Sequence, residues 1–423
     1  MAKRVEGTIL VRIRLLLDRR HFLNRDGTLI LVTKFLRTLA FGYLSVMLPY
    51  YLGKDALGFS EFGVGIVVTT ALVGGISFTL ISGILANRIG RRNSLSIFGL
   101  LMTVAGLLLF AFTDIYVILL AVFIGMIGVN ATETGPSASI EQAIIPQTTS
   151  EKNRTYAFSI YNLLGYAGAS FGALLARVPT SLHAFLGFNV IDAYKVLFAL
   201  YAASGLLLTL CYRILSRRAE IDHFGGGLSG LTKSKRTVAK LSALFSIDAF
   251  GGGFVQQTLI SQWFLAKYNT SLDSASNIFF FAQLITAASF LVAGRLSKRV
   301  GLLKTMVLTH FPSNLLLMGV GLVPGFEWAV AFLFARQTLS QMDVPTRQSY
   351  MIAIIEPEER NAATSVTNVS RSVAAAVPPP ISGYLIGTAL LDTIFVFGGT
   401  FKIAYDILVY ASFRKVKPPE EKV

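Results

Sequence analysis

Charge is scarce in this chain. Only 14% of its 423 residues are Asp, Glu, Lys or Arg, where a soluble globular protein carries roughly 25%. Cysteine is scarcer still. The single Cys211 excludes an internal disulfide framework and a cysteine metal cluster. Four scattered histidines, His21, His183, His223 and His310, have no ligand spacing and read as isolated surface or packing residues. No GxxxxGK[ST] phosphate loop is present, so this chain does not use ATP through that motif. No nucleophile–base arrangement suggests an enzyme, and neither a metal nor a cofactor is expected. Short alternating strands are also missing, which argues against a β-barrel.

What is abundant is apolar sequence: 53% of residues are hydrophobic. The apolar runs are long enough for a bilayer core of roughly 30 Å. In lipid the backbone must satisfy its own hydrogen bonds, so the spans are predicted to be helices. Twelve are expected, at 29–52, 61–86, 94–112, 115–145, 155–176, 190–213, 241–266, 275–294, 302–323, 328–355, 362–389 and 391–413. The long interruption at 214–240 holds Gly225, Gly226, Gly227 and several basic residues, and reads as a linker. The expected organisation is an N-terminal segment 1–28, a six-helix bundle 29–213, the linker 214–240, a second bundle 241–413 and a tail 414–423.

The net charge of +15 is not a nucleic-acid signal, because basic residues gather in alternate loops. That pattern places both termini and the linker in the cytoplasm by the positive-inside rule. The basic segment before residue 29 reads as lying along the membrane surface. Trp263 and Trp328 fall at predicted outer ends, where interface anchors belong.

The halves echo each other. GILANRIG from Gly83 recurs as GRLSKRVG from Gly294, Ala40-Phe-Gly recurs at Ala249, and Ala143-Ile-Ile recurs at Ala353. All three share an offset of about 210 residues, which suggests an internal duplication.

The predicted spans, their duplication, the basic middle linker and the loop GILANRIGRR together resemble the major facilitator superfamily. The resemblance covers essentially the whole chain, in its drug- and metabolite-transporting branches. It implies an all-α membrane protein of two pseudo-twofold-related six-helix bundles that rock about a central cavity. In the family the loop from Gly83 through Asn87, Arg88 and Gly90 to Arg91 and Arg92 clamps the halves together on the inner side. Its usual aspartate is Asn87 here, so a weaker clamp is expected. Gly83 is also expected to allow close helix approach.

An ionisable group in the bilayer costs a few kcal/mol on insertion scales, so it faces a cavity or a partner. Glu133, Asp248 and Asp343 are the candidate proton carriers. Arg37, Arg336, Arg347 and Arg371 are the candidate substrate contacts. At 1.5 Å per residue, Glu133 and Asp343 lie roughly 25 and 22 Å in from the outer ends of their spans. They also sit one repeat apart. Asp343 and Arg347 are spaced to pair with each other on one helix. Glu141 reads as a surface carboxylate near the inner end. Lys34, Lys195 and Lys402 read as snorkelling or locally paired. Pro136 and Pro345 are expected to break spans four and ten where a cavity is wet.

The expected activity is secondary active transport of a small organic solute, anionic, zwitterionic or drug-like, coupled to protons. The glycines Gly165, Gly168 and Gly172 in span five tilt it toward export by antiport. Symport or facilitated uptake is the alternative, with a non-transporting membrane receptor as the alternative of another class. The partners are the solute, protons and the lipid bilayer, and a monomer in the plasma membrane is expected.

Overall fold

Long apolar stretches with few helix breakers give long helices, and glycine or proline marks where they stop. The computed structural model describes residues 23–54, 56–130, 135–150, 153–220, 231–356 and 359–416. The first half runs α1 (Arg25–Leu52), α2 (Glu61–Ile89), α3 (Arg91–Ala111), α4 (Ile115–Gly125), α5 (Pro136–Ile144), α6 (Arg154–Leu175), α7 (Val178–Leu186) and α8 (Val190–Arg213). The second runs α9 (Lys235–Phe254), α10 (Gln257–Tyr268), α11 (Leu272–Val300), α12 (Leu302–Leu322), α13 (Phe326–Gln337), α14 (Asp343–Ile354), α15 (Arg360–Ala376), α16 (Pro378–Ile386) and α17 (Thr393–Phe413). No strand occurs among the described residues. Eight helical stretches among them are long and apolar enough to cross a bilayer.

Besides span seven, which breaks at Val255 and Gln256 between α9 and α10, three of the expected spans are split. Between α4 and α5 the chain leaves the helix at Met126, which is left-handed (φ 50°), and re-enters at Pro136 in the first turn of α5. Proline is tolerated there because a first-turn N–H has no intrahelical partner. The corresponding break in the second half covers 338–342, between α13 and α14. It precedes Pro345, which sits in the first turn of α14 and so restarts the helix rather than breaking it. The third split separates α15 from α16 at Val377, ahead of three prolines.

The packing repeats between halves. Helix α1 packs on α6 as α9 packs on α15, and α3 packs on α8 as α12 packs on α17. Across the halves, α2 meets α16 and α6 meets α11. The duplicated loop has a geometric counterpart. Gly90 (φ 86°, ψ 160°) turns α2 into α3, and Gly301 (φ 92°, ψ 160°) turns α11 into α12. That backbone region is essentially restricted to glycine, so each one-residue corner fixes its glycine.

We call the end of the bundle at residues 214–220 and 231–234 the linker end, and the opposite end the far end. The hydrogen bonds described between the halves lie from mid-span to the far end. Tyr50 Oη donates to Thr270 O (2.8 Å), Thr69 Oγ1 to Ala376 O (2.9 Å) and Ser261 Oγ to Val46 O (2.9 Å). Near the middle, Tyr166 Oη donates to Gln341 Oε1 at 3.4 Å. A Cβ on Gly65 would stand 2.4 Å from Pro379 O, and one on Gly383 would stand 2.3 Å from Glu61 O, so the far-end seam of α2 and α16 is closed backbone to backbone.

At the linker end, acids tie backbone together. Asp26 accepts from the Ser216 N–H (2.9 Å), and Glu220 accepts from the N–H groups of Arg91 (2.6 Å) and Arg92 (3.0 Å) at the start of α3. A carboxylate at a helix N-terminus is favoured by both the orphan donors and the helix dipole. Glu359 accepts from the N–H groups of Thr232, Lys233 and Ser234 and from the Thr232 hydroxyl. These bonds hold the Glu359 carboxyl far below the usual carboxylate range, the Thr232 hydroxyl contributing most.

Two expectations fail here. No described atom lies within 4 Å of a Cβ built on Gly83, so that glycine does not serve close packing. Trp263 is fully buried, its Nε1 donating to Asp392 Oδ1 at 2.9 Å. The hydrogen bond and the surrounding rings Phe264 and Phe395 hold it inside rather than at an interface. Trp328 is exposed.

Candidate functional site

Two buried charge clusters occupy the interior, one in each half. The first is built on α1. Its partners come from α5, α6 and α8, which the α1–α6 packing and the break before Pro136 bring alongside. Arg37 and Glu141 form a bidentate pair, Nη1 to Oε1 at 2.9 Å and Nη2 to Oε2 at 2.6 Å. Thr33 Oγ1 donates to Oε1 (2.8 Å), Tyr161 Oη to Oε2 (2.8 Å) and Tyr212 Oη to Oε1 (2.7 Å). The Tyr212 hydroxyl in turn accepts from Arg37 Nη1 at 2.6 Å. Lys34 lies with its ammonium 4.8 Å from the Tyr161 ring centre, a cation–π distance. Glu141 is 0% exposed. It is a core carboxylate and not the surface group that its position near a helix end implied, because α1, α6 and α8 close over that end. A buried charge needs a partner and filled lone pairs, and this one has both.

The second cluster centres on Asp248 of α9, 3% exposed. Its Oδ1 lies 2.7 Å from Lys402 Nζ and 3.5 Å from His310 Nε2. Its Oδ2 lies 3.1 Å from Arg347 Nη1 and 3.5 Å from Arg371 Nη2. Arg347 also reaches Asp343, one turn back on α14, at 3.1 Å from Oδ2. That oxygen has no partner in hydrogen-bonding geometry, although Asp343 is buried. Behind His310, Nδ1 lies 2.8 Å from Asp406 Oδ1, and Asn314 Nδ2 donates to Asp406 Oδ2 at 3.0 Å. Arg336 contacts the Gln337 amide at 3.2 Å, and the Nε of both Arg336 and Arg371 is buried without a partner.

The expected site residues are therefore divided. Asp248, Asp343, Arg347 and Arg371 come together, with Arg336 one break away, and Arg37 belongs to the other cluster. Glu133 lies outside the described residues, as do residues 1–22 and 221–230. Asp343 and Arg347 do pair, and Asp248 joins them. Lys195 pairs locally with Asp192 at 3.2 Å, whereas Lys402 is buried on Asp248 rather than reaching a surface. In the Gly83–Arg92 loop, Arg92 Nη2 donates to Arg213 O (2.7 Å), while Asn87 and Arg88 are exposed.

The sequence reading missed four groups, Asp406, His310, Tyr161 and Tyr212. Asp406 lies four residues after Lys402 and Asn314 four after His310. Such polar pairs on one face of an apolar helix were the available signal. The two clusters also mirror each other with signs exchanged. Span one offers an arginine to an acid of span four, and span seven offers an acid to an arginine of span ten. The glycines of α6 are accounted for by packing, since a Cβ on Gly172 would stand 2.1 Å from Leu39 O and one on Gly168 2.6 Å from Phe35 O.

Apolar spanning helices around buried charges define a multi-pass integral membrane protein. The sequence profile described as Major Facilitator Superfamily matches residues 30–342 and again 241–423. The chain belongs to that family of membrane transporters. It is 25% identical over 426 residues to an uncharacterized membrane protein of Saccharomyces cerevisiae, covering 92% of this chain and 94% of that one. In structure it is similar to a D-xylose-proton symporter, with a TM-score of 0.71, 16% identity and coverage of 93% of this chain and 98% of that chain. It is also similar to the human organic anion transporter, with a TM-score of 0.62, 15% identity and coverage of 91% and 99%.

Proposed function

We propose that the protein carries a small organic anion across the membrane by alternating access, together with a proton. The observation that carries this reading is the unspent cationic capacity around Asp248. Lys402, Arg347 and Arg371 share that one carboxylate, and both Arg371 and the nearby Arg336 keep a free Nε. A guanidinium fork suits a carboxylate or phosphate, and desolvated donors without partners favour an anion that supplies them. Asp343 is the proton carrier that fits best. It is buried, its Oδ2 lacks a hydrogen-bond donor, and among the described residues Arg347 is its ion-pair partner, at 3.1 Å. Asp248 is a poorer carrier because its two oxygens are already engaged by Lys402, Arg347 and Arg371, at 2.7 to 3.5 Å.

The closed far-end seam supports a state that opens toward the linker end. With the linker in the cytoplasm of a plasma-membrane protein, as the basic loops suggest, that state faces inward. The glycines that favoured export are engaged in helix contacts, and a cluster that would take up proton and anion together favours cotransport.

The test is uptake into liposomes holding the purified protein, with an imposed pH gradient and a panel of radiolabelled monocarboxylates, sugar acids and phosphate esters. Gradient-driven accumulation of at least one anion is expected. Asp343→Asn is expected to lower that accumulation at least tenfold while leaving anion exchange at equal pH. Uptake indifferent to the gradient, or full accumulation by the variant, overturns the reading.

A further inference from the structure

One segment at the far end is not accounted for by the bundle. Helix α6 has 22 residues. At 1.5 Å per residue that covers about 33 Å, enough for a bilayer core of roughly 30 Å. The chain has therefore crossed by the time it enters α7, nine residues that follow almost at once. The second half does without such a helix. Residues 387–392 join α16 to α17, where residues 176–189 join α6 to α8. The duplicated packing does not demand the added piece.

Its composition and exposure run against an aqueous loop. From Val178 to Ile191 the sequence VPTSLHAFLGFNVI contains no Asp, Glu, Lys or Arg. Phe185 is 86% exposed and Leu186 66%, and Phe188 is exposed just beyond them. No described atom lies within 4 Å of a Cβ built on Gly187, so nothing among the described residues packs over this turn. Single exposed apolar side chains are ordinary, but a contiguous group marks a surface that something covers.

The polar groups of the turn are engaged within it. The Leu182 carbonyl accepts from the N–H groups of Gly187 and Phe188. His183 Nδ1 lies 2.8 Å from Phe188 O, and Asn189 Oδ1 accepts from the Ile191 N–H at 3.1 Å. Backbone satisfied in this way can leave water, which open loop backbone cannot.

The covering material follows from what the surface joins. It runs on into Val190, Val196 and Leu200, exposed on α8. That helix is long and apolar enough to span, and its exposed apolar side chains face acyl chains. Charged pairs stand on either side of the segment. Arg177 lies 3.6 Å from Asp273 before it, and Lys195 lies 3.2 Å from Asp192 after it. Between them the surface carries no charge with which to select a protein partner.

We propose that α7 and the turn after it are an interfacial membrane anchor, with Phe185, Leu186 and Phe188 immersed in the lipid leaflet at the far end. A helix of this kind lies in the plane of the membrane and sinks its apolar side about 5–10 Å into the boundary between headgroups and acyl chains. The anchor belongs to the first bundle alone. Its start meets the second bundle through Arg177, because Asp273 is in the first turn of α11.

The test uses the full-length chain in nanodiscs. Trp328→Phe removes the exposed tryptophan, and the buried Trp263 supplies a constant background that is subtracted. Phe185→Trp then places a reporter on the surface. In phosphatidylcholine brominated on the upper part of its acyl chains, the reporter's emission is expected to fall at least twofold relative to unbrominated lipid. Bromines near the chain ends are expected to quench it less, and iodide in the water to leave it nearly unchanged. Leu186→Trp, a second reporter in case the first variant folds poorly, is expected to behave alike. Quenching by iodide and not by bromine would make the segment an aqueous loop and overturn the proposal. A reporter shielded from both would be covered by protein, whether a second copy or another chain, and would overturn it too. Strongest quenching by chain-end bromines would put α7 inside the bilayer core and contradict the interfacial placement.

Discussion

Replacing Glu141 with glutamine tests what the first cluster does. The wild-type carboxylate receives five donor contacts, from Thr33, Tyr161, Tyr212 and twice from Arg37. An amide oxygen in the place of Oε1 keeps those from Thr33, Tyr212 and Arg37 Nη1. The amide nitrogen in the place of Oε2 then faces the obligate donor Arg37 Nη2, while the Tyr161 hydroxyl can turn to accept from it. One charged hydrogen bond is lost, worth about 1.5–3 kcal/mol. Arg37, 3% exposed, is left with its charge uncompensated. The expected loss is about 3–5 kcal/mol of stability, the usual cost of orphaning half of a buried pair. Removing both charges, as R37M/E141L, is expected to recover most of it. The assay is a double-mutant cycle on reversible unfolding in mixed micelles, with equilibrium exchange as a check that the variants fold. An E141Q protein within about 1 kcal/mol of wild type would refute the reasoning, as would a double variant no better than the sum of the singles.

The seam of α2 and α16 gives a second prediction. Gly65→Leu places side-chain atoms where Pro379 O stands 2.4 Å from a bare Cβ, so the far end should open. Spin-label distances across that end should lengthen by several ångströms while those at the linker end shorten. Glu359 gives a third. Its folded carboxyl is depressed, so its stabilising contribution is fully present above the ordinary carboxylate value of about 4.3 and is lost only as pH falls below it toward the folded value. The thermal-stability gap between wild type and E359Q should therefore be constant from about pH 5 to pH 8 and narrow near pH 3. A gap that narrows above pH 5 contradicts the assigned direction.

Most of the helical plan was legible because hydropathy and chain length dictate it. So was the duplication, whose glycine corners at Gly90 and Gly301 proved to share one backbone conformation. The proline signals located the breaks of spans four and ten, though not those of spans seven and eleven, and Pro345 marks the restart of α14 and not the break itself, since proline fits a first turn better than an interior. Depth along a helix misjudged Glu141. Burial near a helix end depends on what other segments cover it, and here that cover comes from Tyr161 and Tyr212, distant in sequence. His310 looked isolated for the same reason, because Asp406 and Asp248 reach it from helices far along the chain in either direction. Charge pairing within one helix, as between Asp343 and Arg347, can be read from spacing. Pairing between helices needs the fold.

All of this rests on Asp248, Asp343 and Arg371 facing water inside the protein rather than lipid. The direct measurement uses a Cys211→Ser background with Arg371→Cys, treated with a membrane-impermeant anionic thiosulfonate from the linker side. The account predicts modification within minutes, slowed when Gly65→Leu is added to favour the opposite state. Labelling only by a lipid-soluble maleimide, at a rate indifferent to Gly65→Leu, would place the cluster against the bilayer and contradict it.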